Sequence, residues 1–127
     1  MDTSAATKLI IEEAESSALV EALSTERRLV AAWLVHTELH CAAGLHPDAV
    51  DITAVNQVLD AVNLADVTRG DLVTTSAHSP LRSNDAIHLA VALRFGVDEM
   101  VTYDHELVFA ARRVVFSILT PGRDGHV

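Results

Sequence analysis

Hydrophobic residues along the chain follow two patterns: short continuous runs, and longer stretches in which they recur every three or four positions. Continuous runs of this length predict buried strands, and the wider spacing predicts helices with one buried face. On this basis we predict helices at residues 4–11, 16–23, 35–45, 48–62, 70–77, 84–95 and 104–113, and strands at residues 29–33, 64–67, 99–103 and 114–119. Strands that alternate with helices are typical of an α/β fold with a parallel sheet.

The chain length and a few boundary residues extend this prediction. A chain of 127 residues without repeats or Pro/Gly-rich linkers predicts one domain spanning residues 1–127. Ser83 is the expected N-cap of the helix at 84–95, and Gly96 is expected to end that helix. Parallel sheets bind ligands at the carboxyl ends of their strands, beside the N-termini of the following helices, so functional residues are expected there.

Composition narrows the class of protein. Half of the residues are apolar, which excludes a disordered chain, and only 4% are aromatic, so the core is expected to be aliphatic. The longest apolar run, residues 29–35, is far shorter than the roughly 20 residues that span a membrane. Asp2 and the Glu12-Glu13 pair argue against a signal peptide, and the single cysteine, Cys41, cannot form an internal disulfide. These features predict a cytoplasmic protein with no membrane segment.

Three acidic residues occupy the starts of predicted helices. Asp2 leads directly into the first helix, Asp85 lies in the first turn of the helix at 84–95, and Asp104 follows the strand at 99–103. Each of them alone is explained by helix capping, because a carboxylate there accepts hydrogen bonds from free N–H groups and suits the helix dipole.

Glu38 differs, because its neighbours on the predicted helix face are apolar: Leu34, Val35, Cys41, Ala42 and Leu45. A carboxylate in such surroundings is costly unless a cation or strong donors meet it. One interpretation is a buried ion pair with Arg27, Arg69 or Arg82. The other is a metal ligand, and several carboxylates without thiolates suit a hard ion such as Mg²⁺ or Mn²⁺.

Two histidines are alternative candidates for metal ligands. His36 and His40 stand four residues apart, a spacing seen in zinc sites. On a helix, however, Glu38 points about 200° from His36 and about 160° from His40, so the pair and the glutamate cannot serve one site. We therefore interpret the pair as surface or interface residues. His88, three residues after Asp85, is interpreted as a hydrogen-bonded structural histidine.

Four acidic segments of the chain resemble, in order, the motifs of PIN-domain nucleases, and more narrowly those of VapC-type toxins of bacterial toxin–antitoxin pairs. They are Asp2-Thr3-Ser4-Ala5, Thr37-Glu38-Leu39, the segment from Ser83-Asn84-Asp85 through Ala86-Ile87-His88-Leu89-Ala90, and Val101-Thr102-Tyr103-Asp104. The match extends from Asp2 to the ending Leu119-Thr120-Pro121-Gly122 and so covers nearly the whole chain.

This resemblance implies a three-layer α/β/α fold with a central parallel sheet and an RNA-cleaving activity that depends on one or two Mg²⁺ or Mn²⁺ ions. It carries over Asp2, Glu38, Asp85 and Asp104 as the metal-binding acidic cluster, in which a metal-activated water attacks the RNA phosphodiester bond. Ser4 matches a hydroxyl that supports this cluster. The resemblance also implies a homodimer and a cognate antitoxin that covers the acidic pocket.

Three further residues are weaker candidates. Thr102 is a second candidate for supporting the cluster. Lys8 and Arg82, close in sequence to the first and third motifs, are candidates for contacting phosphate, although each can equally be a solvated surface charge. One departure concerns the start: only Met1 precedes Asp2, whereas the family has a short apolar strand there. The expectation is either a start further upstream or a truncated strand, which would weaken the anchoring of Asp2.

Net charge shapes how RNA can bind. The chain carries 18 acidic and 9 basic residues, a net charge of −9, which argues against a broad cationic surface for nucleic acid. Binding is therefore expected to depend on the metal ions and a few local cations, and the acidic pocket would suit an antitoxin arginine. Two alternatives remain open at this point: a non-catalytic PIN-like module that binds a protein, and a nuclease that acts on DNA.

Overall fold

The computed structural model describes residues 1–10, 16–23, 28–78, 80–114 and 117–122. The helices are α1 (Thr3–Ile10), α2 (Ser16–Leu23), α3 (Leu34–Leu45), α4 (Ile52–Asp60), α5 (Arg69–Thr74), α6 (Ser83–Phe95) and α7 (His105–Arg112), with a 3₁₀ turn at Thr75–His78. The strands are β1 (Val30–Ala32), β2 (Asn63–Ala65), β3 (Glu99–Val101) and β4 (Ser117–Leu119). Helices and strands alternate as predicted, which confirms the α/β class.

Local chemistry explains where several elements differ from the prediction. The helix predicted from residue 48 begins only at Ile52, because the Asp51 side chain caps it by accepting a hydrogen bond from Thr53 N. The prediction of Ser83 as an N-cap is wrong: Arg82 holds that position without a side-chain cap, and Ser83 is already helical. Gly96 does end α6, in the left-handed conformation (φ 61°) that glycine adopts without strain.

The strands pair in parallel, but as two separate two-stranded sheets. β1 pairs with β2 in the register Val30–Asn63, and β3 pairs with β4 in the register Glu99–Ser117. The described strands thus show two parallel pairs, in the orders β1-β2 and β3-β4, and these pairs alone do not show one central sheet. Residues 115 and 116 of the last predicted strand lie outside the described residues.

The first two residues connect the two sheets. Met1 N donates a hydrogen bond to Val30 O in β1 (3.0 Å), and Asp2 N donates one to Val101 O in β3 (3.3 Å). Asp2 is thereby held between the carboxyl-terminal part of β3 and the start of α1. The anchoring that the sequence left in question is supplied here by backbone hydrogen bonds.

The core is aliphatic, as the composition predicts. On one side of the fold, Val35 and Leu39 of α3 and Val55 of α4 are fully buried in one cluster. On the other side, Leu89 of α6 and Leu107 of α7 pack with the strand β3. These two clusters hold α1, α3, α6 and α7, the helices whose first turns or inner faces carry the acidic motifs. Within the described residues, no helix is both long and apolar enough to cross a membrane.

An ion pair between a buried aspartate and a partly exposed arginine links α5 to α6. Arg94 Nε donates to Asp71 Oδ1 (2.9 Å) and Oδ2 (3.1 Å), and its Nη2 donates to Asp66 O (2.7 Å). Asp71 also closes a capping box with Thr68 at the start of α5. Burial by itself raises the pKa of Asp71, but the hydrogen bonds from Arg94 and Thr68 outweigh it and hold the pKa below its usual range.

Candidate carboxylate site

Asp2 is the most constrained of the four candidate acids. It is only 2% exposed. Its Oδ1 accepts hydrogen bonds from Ser4 Oγ (2.7 Å) and Ala5 N (3.2 Å), and its Oδ2 accepts one from Thr102 Oγ1 (2.8 Å). Asp2 therefore caps α1, as the capping interpretation predicted, and it also makes a contact across 100 positions of sequence. Ser4 and Thr102, the two hydroxyl residues considered as supports for the acidic cluster, both donate to this carboxylate.

Thr102 couples Asp2 to Asp104. Each hydroxyl has one hydrogen to donate, and Ser4 and Thr102 both donate theirs to Asp2. The Ser4 oxygen accepts a hydrogen bond from Tyr103 N (2.8 Å), and the Thr102 oxygen accepts one from Asp104 N (3.1 Å). Asp104 Oδ1 caps α7 by accepting from Leu107 N (2.9 Å). The loop after β3 is thus held by the same two hydroxyls that orient the Asp2 carboxylate.

Removing the Thr102 hydroxyl should destabilise the protein. In a Thr102→Val variant, the buried Asp2 carboxylate loses a donor and Asp104 N loses an acceptor, so we expect a loss of about 2 kcal/mol in the free energy of unfolding. Thr7→Val is the matched control, because Thr7 Oγ1 donates only to the backbone oxygen of Thr3 in its own helix. Urea unfolding of both variants measures the difference, and equal losses would contradict this role for Thr102.

Glu38 receives donors from two other helices. Thr3 Oγ1 of α1 and His88 Nε2 of α6 both donate to Glu38 Oε1 at 2.8 Å, and the Glu38 side chain is 25% exposed. The predicted arginine partner is therefore wrong for Arg69 and Arg82, and Arg27 lies outside the described residues. Burial raises the pKa of Glu38, but the hydrogen bonds from His88 and Thr3 outweigh it and leave the pKa below its usual value.

His88 makes a contact with the candidate site that the sequence did not predict. The interpretation as a hydrogen-bonded histidine is confirmed, but its partner is Glu38 itself. Because an ionised carboxylate only accepts, the ring hydrogen must lie on Nε2. The Nδ1 atom is buried without a hydrogen-bond partner among the described residues. The available signal was helical spacing, since His88 follows Asp85 by three positions and shares its side of α6.

The pKa of Asp85 is affected by the other three predicted acids. It lies in the first turn of α6 and is half-buried. Its pKa is raised, first by burial and then by the negative charges of Asp104 and Asp2, with a further contribution from Glu38. Like charges raise the pKa of a carboxyl group only when they are close. The charges of the other three predicted acids thus act on Asp85, although in the part of the chain described no group of three Asp, Glu, His or Cys side chains could hold a metal ion.

The two candidate phosphate contacts differ in their surroundings. Lys8 is only 8% exposed, and its Nζ lies 4.7 Å from the centroid of the Tyr103 ring. This position favours a cation–π contact with Tyr103 over contact with a phosphate. Arg82 is exposed at the N-cap position of α6, three residues before Asp85, and it remains a candidate for phosphate contact.

Comparison with known proteins gives the family. Residues 1–113 match the PIN domain model. The chain is 32% identical over 130 residues to Ribonuclease VapC47 of Mycobacterium tuberculosis, with 96% of each chain covered. It is 36% identical over 134 residues to Ribonuclease VapC35 of that organism (97% of this chain, 96% of the relative) and 34% identical over 125 residues to Ribonuclease VapC46 (95% of each). The chain therefore belongs to the PIN-domain family, among relatives of the VapC type, which confirms the resemblance seen in the sequence.

Proposed function

We propose that this protein is an endoribonuclease that cleaves RNA phosphodiester bonds with the help of Mg²⁺ or Mn²⁺, and that it acts as the toxin of a toxin–antitoxin pair. The observation that carries the proposal is the set of hydrogen bonds that connects the acidic segments: Thr102 joins Asp2 to Asp104 N, and Thr3, next to Asp2, donates to Glu38. The raised pKa of Asp85, caused in part by the other three acids, supports it. The relatives that are named ribonucleases support RNA as the substrate class.

The residues present fit a hard divalent cation. All four charged groups are carboxylates, the ligands that Mg²⁺ and Mn²⁺ prefer over softer metals. Their mutual repulsion, which disfavours ionisation of Asp85, would be relieved by a cation between them. Asp2, Glu38, Asp85 and Asp104 would hold the ion or ions. When bound, such an ion lowers the pKa of water and stabilises negative charge on a phosphate.

The surrounding residues have positioning roles in this proposal. Ser4 and Thr102 orient the Asp2 carboxylate, while Thr3 and His88 hold Glu38 Oε1. These donors fix the orientation of the two carboxylates, so little side-chain reorganisation is needed when substrate binds. Arg82 is the local cation that would contact a substrate phosphate, which matters because the net charge of −9 disfavours a broad RNA surface.

The same proposal includes one central sheet, a homodimer and an antitoxin partner. Joined through Met1 and Asp2, the pairs β1-β2 and β3-β4 would form one central parallel sheet between two helical layers. A homodimer in the cytoplasm and a cognate antitoxin are proposed by analogy with the family. A cationic antitoxin side chain would be attracted to the four carboxylates for the same electrostatic reason as a metal ion.

Metal titration tests the site separately from cleavage. Mn²⁺ should bind the wild-type protein in calorimetry, and Glu38→Gln should weaken that binding at least tenfold, because one ligand charge is lost. Asp60→Asn is the control, since Asp60 is the exposed last residue of α4 and its substitution changes the net charge equally. RNA cleavage should require Mg²⁺ or Mn²⁺ and stop when a chelator is added.

The outcomes separate the proposal from a non-catalytic interaction module. In such a module, Glu38 would serve only as the partner of His88, so Mn²⁺ would not bind or its affinity would be the same in Glu38→Gln and Asp60→Asn. Cleavage that survives the chelator would contradict the metal requirement. Cleavage of single-stranded DNA at a rate equal to that of RNA would contradict the proposed substrate class.

A further inference from the structure

Three rings line one flank of α3, away from the carboxylate site. The rings of Trp33 and His36 have centroids 5.5 Å apart and are tilted by 52°. The rings of His36 and His40 are stacked, with centroids 4.2 Å apart and an angle of 26°. Trp33 is 45% exposed and both histidines are half-buried, so solvent reaches this flank. Nothing in the proposed cleavage reaction uses these residues.

We propose that His36 and His40 form a second metal site, for a borderline transition-metal ion such as Zn²⁺, Ni²⁺ or Cu²⁺. Imidazole nitrogens select these metals, whereas the carboxylate cluster suits Mg²⁺ and Mn²⁺. The two sites would therefore differ in metal as well as in place. On α3, Glu38 points about 160–200° away from the two histidines, so one ion cannot bridge the sites.

The hydrogen bond of His40 prepares its ring for coordination. His40 Nδ1 lies 2.8 Å from the backbone oxygen of His36. Because a carbonyl oxygen only accepts, Nδ1 carries the hydrogen, and the lone pair of the neutral ring lies on Nε2. Metal-binding histidines commonly make this bond from their other nitrogen to a backbone carbonyl, which fixes both the tautomer and the ring orientation. His40 is thus set to bind a metal through Nε2.

The two rings lie close enough to share one ion after the ring of His36 turns. In the stacked arrangement their centroids are 4.2 Å apart. Two nitrogens on one tetrahedral ion, with metal–nitrogen bonds of about 2.0–2.1 Å, lie about 3.3 Å apart, and each ring must point a lone pair at the ion. Binding therefore requires the His36 ring to turn about its side-chain bonds, while His40 keeps its hydrogen bond to the His36 carbonyl. Water would complete a tetrahedral ion, which predicts weaker binding than in a closed four-ligand site.

Trp33 provides a direct measurement, because it is the single tryptophan of the chain and its ring lies next to His36. Titrating the full, tag-free chain with Ni²⁺, a paramagnetic quencher, should reduce tryptophan fluorescence to a saturable limit. Zn²⁺, which does not quench, should compete with Ni²⁺ and restore the fluorescence, whereas millimolar Mg²⁺ should not. His36→Gln and His40→Gln should each weaken Ni²⁺ binding at least tenfold.

Two controls make the result specific. His46→Gln removes an exposed histidine at the C-terminal end of α3, outside the stacked rings, and should leave Ni²⁺ binding unchanged. Asp85→Asn should also leave it unchanged, which separates this site from the carboxylate site even if the proposed nuclease activity is not found. Circular dichroism checks that each variant is folded. Absence of saturable quenching, or equal Ni²⁺ affinity in the wild type and in folded His40→Gln, would overturn the proposal.

Discussion

Asp85→Asn is expected to abolish RNA cleavage while leaving the protein at least as stable as the wild type. The substitution keeps the shape of the side chain but removes one of four charges proposed to hold the cation. Metal stabilisation of a developing phosphate charge is worth several kcal/mol, and each 1.36 kcal/mol is tenfold in rate, so cleavage should fall by about 10³-fold or more.

The expected stability of the Asp85→Asn variant follows from the raised pKa of Asp85. A carboxyl group whose pKa is higher in the folded than in the unfolded state makes the fold less stable at pH values above the unfolded pKa, because ionisation is disfavoured only in the folded state. Asparagine removes that cost. Since Asp85 is half-buried and partly screened by water, the gain at pH 7 should be at most about 1 kcal/mol, or about 2–4 °C in Tm.

RNA cleavage and Tm are both measured on the same preparation of each variant. Cleavage is followed with saturating Mn²⁺, and Tm is measured in chelator, where no cation offsets the repulsion. Asp60→Asn is the control and should cleave normally. A loss of cleavage together with a lower Tm would mean that Asp85 is needed for folding, and normal cleavage by Asp85→Asn would remove it from the proposed site.

Arg94→Met should have the largest effect on stability. It leaves the Asp71 carboxylate, which is 3% exposed, without its charged partner. Breaking a fully buried pair in this way costs about 3–5 kcal/mol. Because the Arg94 side chain is itself 38% exposed, about 2–3 kcal/mol is the expected loss in the free energy of unfolding. Urea unfolding at pH 7 measures it.

A double variant tests whether the unpaired Asp71 charge is the cause of the lost stability. Asp71→Asn combined with Arg94→Met removes both charges, so the double variant should be more stable than Arg94→Met alone. If the double variant is further destabilised by the full sum of both changes, the two residues act independently and the ion pair is not the reason.

The ion pair between Asp71 and Arg94 also predicts that the protein loses stability as the pH falls. The pKa of Asp71 is lower in the folded protein than its ordinary value, so its stabilisation is present above the unfolded pKa of about 3.9 and is lost as the pH falls through the folded pKa. Arg94→Met should therefore flatten the dependence of unfolding free energy on pH below about pH 4. An unchanged slope would show that another acid dominates this range.

Much of the fold could be predicted from local patterns. The alternation of apolar runs and helical spacing gave the correct element types, because burial of one face is a property of neighbouring residues. Two predicted boundaries failed: the Asp51 side chain caps α4 and so delays its start, and α6 begins with Arg82, which makes no side-chain cap, at the N-cap position expected of Ser83. Such choices depend on packing that the local pattern does not contain.

The pairing of the strands was also beyond the sequence pattern. Each predicted strand overlaps an observed one, and the structure pairs them as β1-β2 and β3-β4, with Met1 hydrogen-bonded to β1 and Asp2 to β3. Pairing between strands joins residues far apart in the chain, and periodicity along one strand does not identify its neighbour.

For the candidate site, the sequence pattern indicated four acids and showed that one of them, Glu38, required a cation or a strong donor as its partner. That this partner is His88, and that Thr102 reaches Asp2, follows from the folding of distant segments onto each other. These contacts join residues that lie 50 and 100 positions apart in the chain. They form because folding brings α1, α3, α6 and the loop after β3 together. A carboxylate is specified locally, but its charge state and its donors depend on whatever the folded chain brings beside it.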